Sequence, residues 1–599
     1  MGSQYSQVWD LDVLFPGGSE SVKFDTYLKD LSDNMDRLES NLADIDLSIL
    51  GEDSSSLEKM INTLDLTTKQ LNEASAFIGC LSAQNVNDKK ARLLVGRRNE
   101  LFAIYQSSLT KLDNLLVKIE ESSWSKLVNS VELKPFSFIL DERRRLAKDK
   151  LPPAQEMLLN DLSVDGYHAW GEMYDAIVSK MTVHINQDGK EENYSVGQAA
   201  NFLNDADRQK RKAAFTALEG AWSEQSDLFS ETLNHLAGFR LQTYKHRNWK
   251  DVLKEPLTYN RMDSKTLEVM WQAITENKQI FVSYLQRKAQ LLGLEKLSWY
   301  DLEAPIVSST EKVEYDEAAK MIVEQFGKFS KKMATFAQRA FDENWIEAED
   351  RPGKRPGGFC TSFPDSKQTR IFMTYSGSAA NVATLAHELG HGYHQHIMDE
   401  LETLNQGYAM NVAETASTFA EMIVADAAVK NANSMEEKIS LLEDKIQRSV
   451  AFFMNIHARF LFETRFYEER KTGLVSADRL NEIMEEAQKE AYCQELEKYD
   501  PTFWASKLHF HITDVPFYNF PYTFGYLFSL GIYANAVEAP ETFEESYNEL
   551  LKDTGRMTVE ELARKHLNVE LNQLDFWQKG IQLCIKDVEE FLELTETKQ

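Results

Sequence analysis

From about Ser21 to Asp161, apolar side chains recur every three or four residues with almost no interruption. Within Glu100 to Glu120, Leu101, Ile104, Tyr105, Leu109, Leu112, Leu116 and Ile119 fall on one side of a helix, the spacing of an amphipathic segment with one buried face. The texture changes at Met181 to Val196. There MTVHI alternates, Asn186, Gln187, Asp188 and Gly189 read as a turn, and EENYSV follows, which predicts a small β-hairpin. Helical periodicity resumes near residue 200. On texture the chain divides into a helical amino-terminal domain, residues 1–200, ending in that hairpin, and a second domain, residues 201–599.

In the second domain, Ser434 followed by Glu437 predicts a capping box. No Gly or Pro then occurs until Gly473, so Met435 to Thr472 is predicted as one helix about 57 Å long at about 1.5 Å per residue. The strand candidates come earlier. Pro352, Gly353, Pro356, Gly357 and Gly358 lead through GFCTSFPD into Thr369 to Tyr375 (TRIFMTY), a run of strand composition. A free edge on that run would let an extended peptide pair with it, whereas a core strand would be paired on both sides. Val515 to Val537 carries no charge, but Pro516, Pro521, Gly525, Gly531 and several tyrosines make it a buried cleft wall and not a membrane span.

Composition sharpens this picture. Only 26 Gly and 13 Pro occur in 599 residues, against an average near 12%, as expected of a chain made of long helices. A net charge of −29 repels phosphate backbones and argues against nucleic-acid partners. The first residues lack the basic flank and apolar run of a secretory signal, and Cys80, Cys360, Cys493 and Cys584 are too dispersed for a disulfide framework. A cytoplasmic protein without membrane partners is expected, its oligomeric state left open.

Four of the 12 histidines fall between His387 and His396. His387 and His391 are i and i+4, so on a helix their imidazoles share one face and can hold one tetrahedral Zn²⁺. Glu388 follows the first of them and can accept a proton from an attacking water without itself binding the metal. A third ligand must come from elsewhere. Glu414 is favoured, with Glu421 seven residues on as the alternative, the other of the two then orienting a histidine. His394 reads as a core or supporting residue, and His396 as surface. Val382, Leu385, Ala386 and Leu389 make the helix a buried one, where two histidines and a glutamate need a partner such as a metal.

These residues give the chain a resemblance to the thimet-oligopeptidase-like zinc metallopeptidases, and within them to the oligoendopeptidase F group. The resemblance rests on LAHELGHGYH (385–394), on Glu414 and Ser417 of ETAS, on PGGFCTSFP and RIFMTYSGS before the motif, and on FYNFPYTFGYLF (517–528). It implies a mainly α, multi-helix zincin-type peptidase with a small β-sheet next to the zinc helix and a helical amino-terminal region. It further implies one zinc on His387, His391 and Glu414, Glu388 as general base, and short unstructured peptides as substrates cut at internal bonds. Transition-state donors would be Tyr526 and a histidine, His509 or His511, with His509 preferred; a packing role for the tyrosines is the competing reading. A non-catalytic helical peptide-binding or scaffold protein with a structural zinc is the alternative function.

Overall fold

The computed structural model describes residues 4–47, 54–187, 190–307, 312–538 and 540–596. It is mostly helical, with five short strands among the described residues. Helices Val22–Ala43, Ser55–Gln84 and Lys89–Lys118 pack side by side in the amino-terminal region. Ser21 and Asp88 cap two of them, accepting from the backbone N–H groups of Phe24 and of Lys90 and Ala91, donors that a helix start otherwise leaves unpaired. Leu101, Tyr105, Leu112 and Leu116 are buried as their periodicity predicts. Ile104 is exposed, because only a narrow stripe of that helix meets its neighbours.

The buried side chains form two continuous cores. One runs from Trp9 to Leu140 and takes in Phe363 and Phe372 from the sheet. The other gathers Tyr5, Tyr174, the hairpin residues Val183 and Ile185, and the apolar positions onward to Phe591. The hairpin pairs β1 (Val183–Gln187) with β2 (Lys190–Tyr194), antiparallel, with Val183 opposite Tyr194. Asp188 and Gly189 of the predicted turn lie outside the described residues.

The second sheet comprises β3 (Ile346–Glu347), β4 (Phe359–Phe363) and β5 (Gln368–Phe372), in the order β3–β5–β4. β5 runs parallel to β3 and antiparallel to β4, and Met373 and Tyr375 extend the pairing by donating to the Glu347 and Ala348 carbonyls. Thr369–Phe372 is therefore paired on both sides, and the expectation of a free edge fails there, whereas Met373–Tyr375 pairs on the β3 side alone. A two-residue partner such as β3 leaves no periodicity in the sequence. The outer edge belongs to β4, and the amino-terminal region braces the turn after it: the buried Glu73 accepts from the N–H groups of Asp365 and Ser366 at 2.9 and 3.4 Å.

The predicted long helix begins at Met435, with Ser434 Oγ accepting from the Glu437 N–H at 3.1 Å. The Glu437 carboxylate accepts from the Asn433 N–H at 2.6 Å, so the capping box is only half formed. The helix then passes through a π turn at Ala451–Asn455 and continues as Ile456–Arg470. At that turn the Phe452 carbonyl accepts from the Thr523 hydroxyl at 2.8 Å. The uncharged stretch becomes a loop and the buried helix Phe520–Glu538. No helix among the described residues is long and apolar enough to cross a membrane.

Candidate metal centre

Ser378 starts helix Ala379–Met398, accepting from the Asn381 N–H at 3.2 Å. Burial of Val382, Leu385, Ala386 and Leu389 fixes the helix rotation, which turns His387 and His391 together toward a second helix, Thr415–Lys430. Gly390 makes that approach possible: a Cβ there would lie 2.5 Å from the Ala416 carbonyl oxygen. Glu414 sits at the bend between the short helix Met410–Ala413 and Thr415–Lys430. Gly525 lets helix Phe520–Glu538 close on it from the far side, since a Cβ there would meet Glu414 Cβ at 3.1 Å.

Nε2 of His387 and Nε2 of His391 stand 3.3 and 3.5 Å from Glu414 Oε2, and the three residues offer donor atoms that all lie within 4.8 Å of one another. Ligands about 2.0–2.1 Å from a tetrahedral zinc are separated by roughly 3.3–3.4 Å, so the donor set fits one such ion. Ser417 Oγ donates to Glu414 Oε2 at 2.7 Å. On the other side of the His387 ring, Nδ1 faces Glu421 at 3.4 Å, and Glu421 is held by Arg448 at 2.6 Å. Glu421 thus supports His387 from behind, which leaves the near side to Glu414.

The charges follow from that packing. Burial disfavours the His387 cation, yet the hydrogen bonds and charges of Glu414 and Glu421 raise it to about 10. His391 falls to about 4, through burial and then the neighbouring His387 charge, against the pull of Glu414. Glu414 is held down to about 2 by the histidines in spite of its burial. Glu388, 8% exposed, is pushed up to about 7, chiefly by burial. Gly358, just before β4, comes close to it: a Cβ at Gly358 would lie 3.6 Å from Glu388 Oε1.

His394 is fully buried, stacked on Tyr408 at 4.3 Å and hydrogen-bonded to Thr554 Oγ1 at 2.8 Å, a core residue. His396 is half-buried and lies over Phe336. His509 and His511 part company, because Leu508–Phe510 is a 3-10 turn and not an extended strand. His511 stacks on Tyr174 at 3.9 Å in the core, whereas His509 faces Tyr518 and Tyr522 at 5.4 and 6.4 Å between ring centroids. Tyr526 does not join them. Its hydroxyl meets Ser449 Oγ at 2.9 Å and Cys584 Sγ at 3.6 Å, and its ring stacks on Phe452. The helix face carrying Tyr522, Gly525 and Ser529 is the one turned to Glu414, where Ser529 Oγ donates to its carbonyl at 3.2 Å; Tyr526 points away from it. Helix Phe520–Glu538 accommodates Pro521 in its first turn, where a missing N–H costs nothing.

Sequence reasoning missed Arg448, the approach of Gly358 to Glu388, and Tyr408. The Gly357–Gly358 pair ahead of a strand was a usable signal for close backbone approach; nothing local marks Arg448.

Residues 201–583 match the family model described as peptidase family M3, and residues 116–182 match that described as oligopeptidase F. The chromosomal oligoendopeptidase F of Lactococcus lactis subsp. cremoris is 22% identical, covering 98% of this chain and 97% of its own. Among solved structures, oligoendopeptidase-F from Enterococcus faecium superposes with a TM-score of 0.70 at 16% identity, covering 96% of this chain and 99% of its own. A candidate peptidase from Chlamydophila abortus reaches 0.84 at 19% identity, with 98% of each chain covered.

Proposed function

This chain belongs to peptidase family M3 and is a metallopeptidase, and from that premise we propose that it is a zinc endopeptidase hydrolysing internal bonds of short, unstructured oligopeptides. The observation that carries the reading is the His387–His391–Glu414 donor set, spaced for one tetrahedral ion, with Glu388 beside it. Zinc held there would supply Lewis-acid polarisation of the scissile carbonyl and of the attacking water.

Glu388 accepts the water's proton and passes it to the departing amine nitrogen as the C–N bond breaks. Its burial beside the cluster suits a group that takes up a proton and then returns it. Glu421 orients the His387 ring through Nδ1 and leaves Nε2 for the metal. His509 and Tyr522 are the donors to the carbonyl oxygen as it gains charge, with Tyr518 beside them. Tyr522 thereby takes the role expected of Tyr526. The substrate backbone pairs with the outer edge of β4, next to Glu388; main-chain pairing accepts many sequences and requires an extended, unfolded peptide. The four cysteines are free thiols, which suits a reducing compartment such as the cytoplasm.

A quenched fluorescent peptide, assayed with and without a chelator alongside metal analysis, tests the reading. One zinc per chain and cleavage that is lost on chelation and restored by zinc are expected, with a fall of about 10² to 10⁴-fold in zinc-loaded Glu388→Gln protein. Undiminished cleavage by metal-free protein, or near-full turnover by that variant, would overturn it.

A further inference from the structure

A cavity of about 450 Å³ adjoins the turn that carries His509, with Asn455, Arg459, Tyr492, Phe503 and Lys507 in its wall. Two cations enter it. The Lys507 ammonium and the Arg459 guanidinium lie 4.7 and 5.2 Å from the centre of the Phe503 ring. Arg459 donates to Asn455 Oδ1 at 2.8 Å and to Asn519 Oδ1 at 3.0 Å. Among the described residues no carboxylate stands within 4.0 Å of either cation. Three carboxylates share the wall without ion-pairing either cation, although the charge of Glu303 reaches both and that of Asp500 reaches Lys507. Glu219 pairs with Lys498 at 2.7 Å, Asp500 accepts from the Thr502 N–H and hydroxyl at 3.0 and 2.8 Å, and Glu303 is exposed.

Half-buried cations without an acidic partner are costly, and this chain, with a net charge of −29, has carboxylates in excess to pair them. Burial, then the charge of Arg459, lowers Lys507 to about 8. Burial lowers Arg459 to about 10, and the two cations add to the burial that brings His509 down to about 4. The two cations of the wall also act on the candidate donors. Lys507 precedes His509 by two residues, and the charges of Arg459 and Glu414 both act on the Tyr522 hydroxyl.

We propose that this cavity is a subsite for a carboxylate of the peptide substrate, with Lys507 and Arg459 as the cations that bind it; the proposal rests on the peptidase reading above. A carboxylate supplies the counter-charge both side chains lack, as a point-charge partner for Lys507 and a planar one for the remaining Arg459 donors. A peptide seated there runs past Tyr522 to the His387–His391–Glu414 cluster, so the carboxylate sets where the cut falls. The group is either the chain's own C-terminus or an Asp or Glu side chain.

Two peptide sets separate these sources and test the subsite on zinc-loaded protein. One compares the same peptide with a C-terminal acid and a C-terminal amide; the other replaces each acidic side chain in turn by its amide. The wild type is expected to prefer a carboxylate form by about 10-fold or more in kcat/KM, the size of a charge-assisted hydrogen bond, and Lys507→Gln to lose most of that preference. A preference in the first set identifies the chain end, and one in the second an acidic side chain. Equal kcat/KM throughout both sets, in an enzyme whose cleavage is chelator-sensitive, overturns the subsite and leaves the peptidase reading standing. A preference that survives unchanged in Lys507→Gln overturns the assignment of its cation. Absence of chelator-sensitive cleavage of every peptide overturns the peptidase reading itself.

Discussion

On one side of the site, His387, Glu388 and His391 stand on one helix and Glu414 at the start of a second, and the two helices touch at Gly390, backbone to backbone. On the other, His509, Tyr518 and Tyr522 stand on a turn-rich segment tethered from a distance. The Tyr167 hydroxyl donates to the Thr513 carbonyl at 2.8 Å, Arg459 holds Asn519, and the buried Glu463 accepts from the Phe517 N–H. Phe517 itself has φ 53°, a left-handed conformation that costs a bulky residue about 1–3 kcal/mol and persists only where its surroundings impose it. The metal side is thus positioned by helical periodicity and one close contact, the donor side by contacts between residues far apart in the chain.

The largest expected effect lies on the metal side. Glu414→Ala should lose zinc and with it essentially all activity, whereas Glu421→Ala should keep zinc with an affinity weaker by about 10 to 100-fold, because only the support behind His387 is gone. Zinc retention during dialysis checks both. Full retention by the Glu414 variant would move the ligand role elsewhere and erase the contrast between the two glutamates.

On the donor side, Tyr522→Phe should lower kcat by about 10² to 10³-fold, the usual loss of one oxyanion donor, with zinc content unchanged. Tyr526→Phe should leave kcat near that of the wild type and cost about 1 kcal/mol of stability, since the lost hydroxyl only bonds Ser449 and Cys584. Steady-state kinetics and thermal unfolding of the two variants decide the matter, and the opposite ranking would restore Tyr526 as the donor.

The smallest effect concerns the tether. Burial, opposed in part by the Arg240 charge, pushes Glu463 from the ordinary 4.5 up to about 8. The folded state therefore keeps a proton that the unfolded chain releases, so this group's contribution to stability falls as pH rises from about 4.5 to about 8 and is level outside that window. Glu463→Gln should remove this component of the pH dependence. Unfolding measured at pH 5 and pH 9 should show the variant gaining on the wild type at the higher pH. Parallel curves for the two proteins would mean that Glu463 ionises normally in the folded state.

The helical architecture and the His387–Glu388–His391 grouping were legible in the chain alone, because they depend on i, i+4 spacing, capping residues and apolar faces that are local, whereas the different placements of Glu414 and Glu421 around His387 were not. The remaining features came from packing. It made β5 a central strand through a two-residue parallel partner too short to show a period, and so gave the free edge to β4. It put a π turn into the helix predicted to run unbroken from Met435 to Thr472. It separated His509 from His511 by folding an alternating segment into a 3-10 turn, and it turned Tyr522 toward Glu414 and Tyr526 into the core. Each of these depends on which distant residue a backbone or side-chain group meets. That information lies in the packing of elements far apart in the chain, and no local pattern of hydrophobic and polar positions carries it.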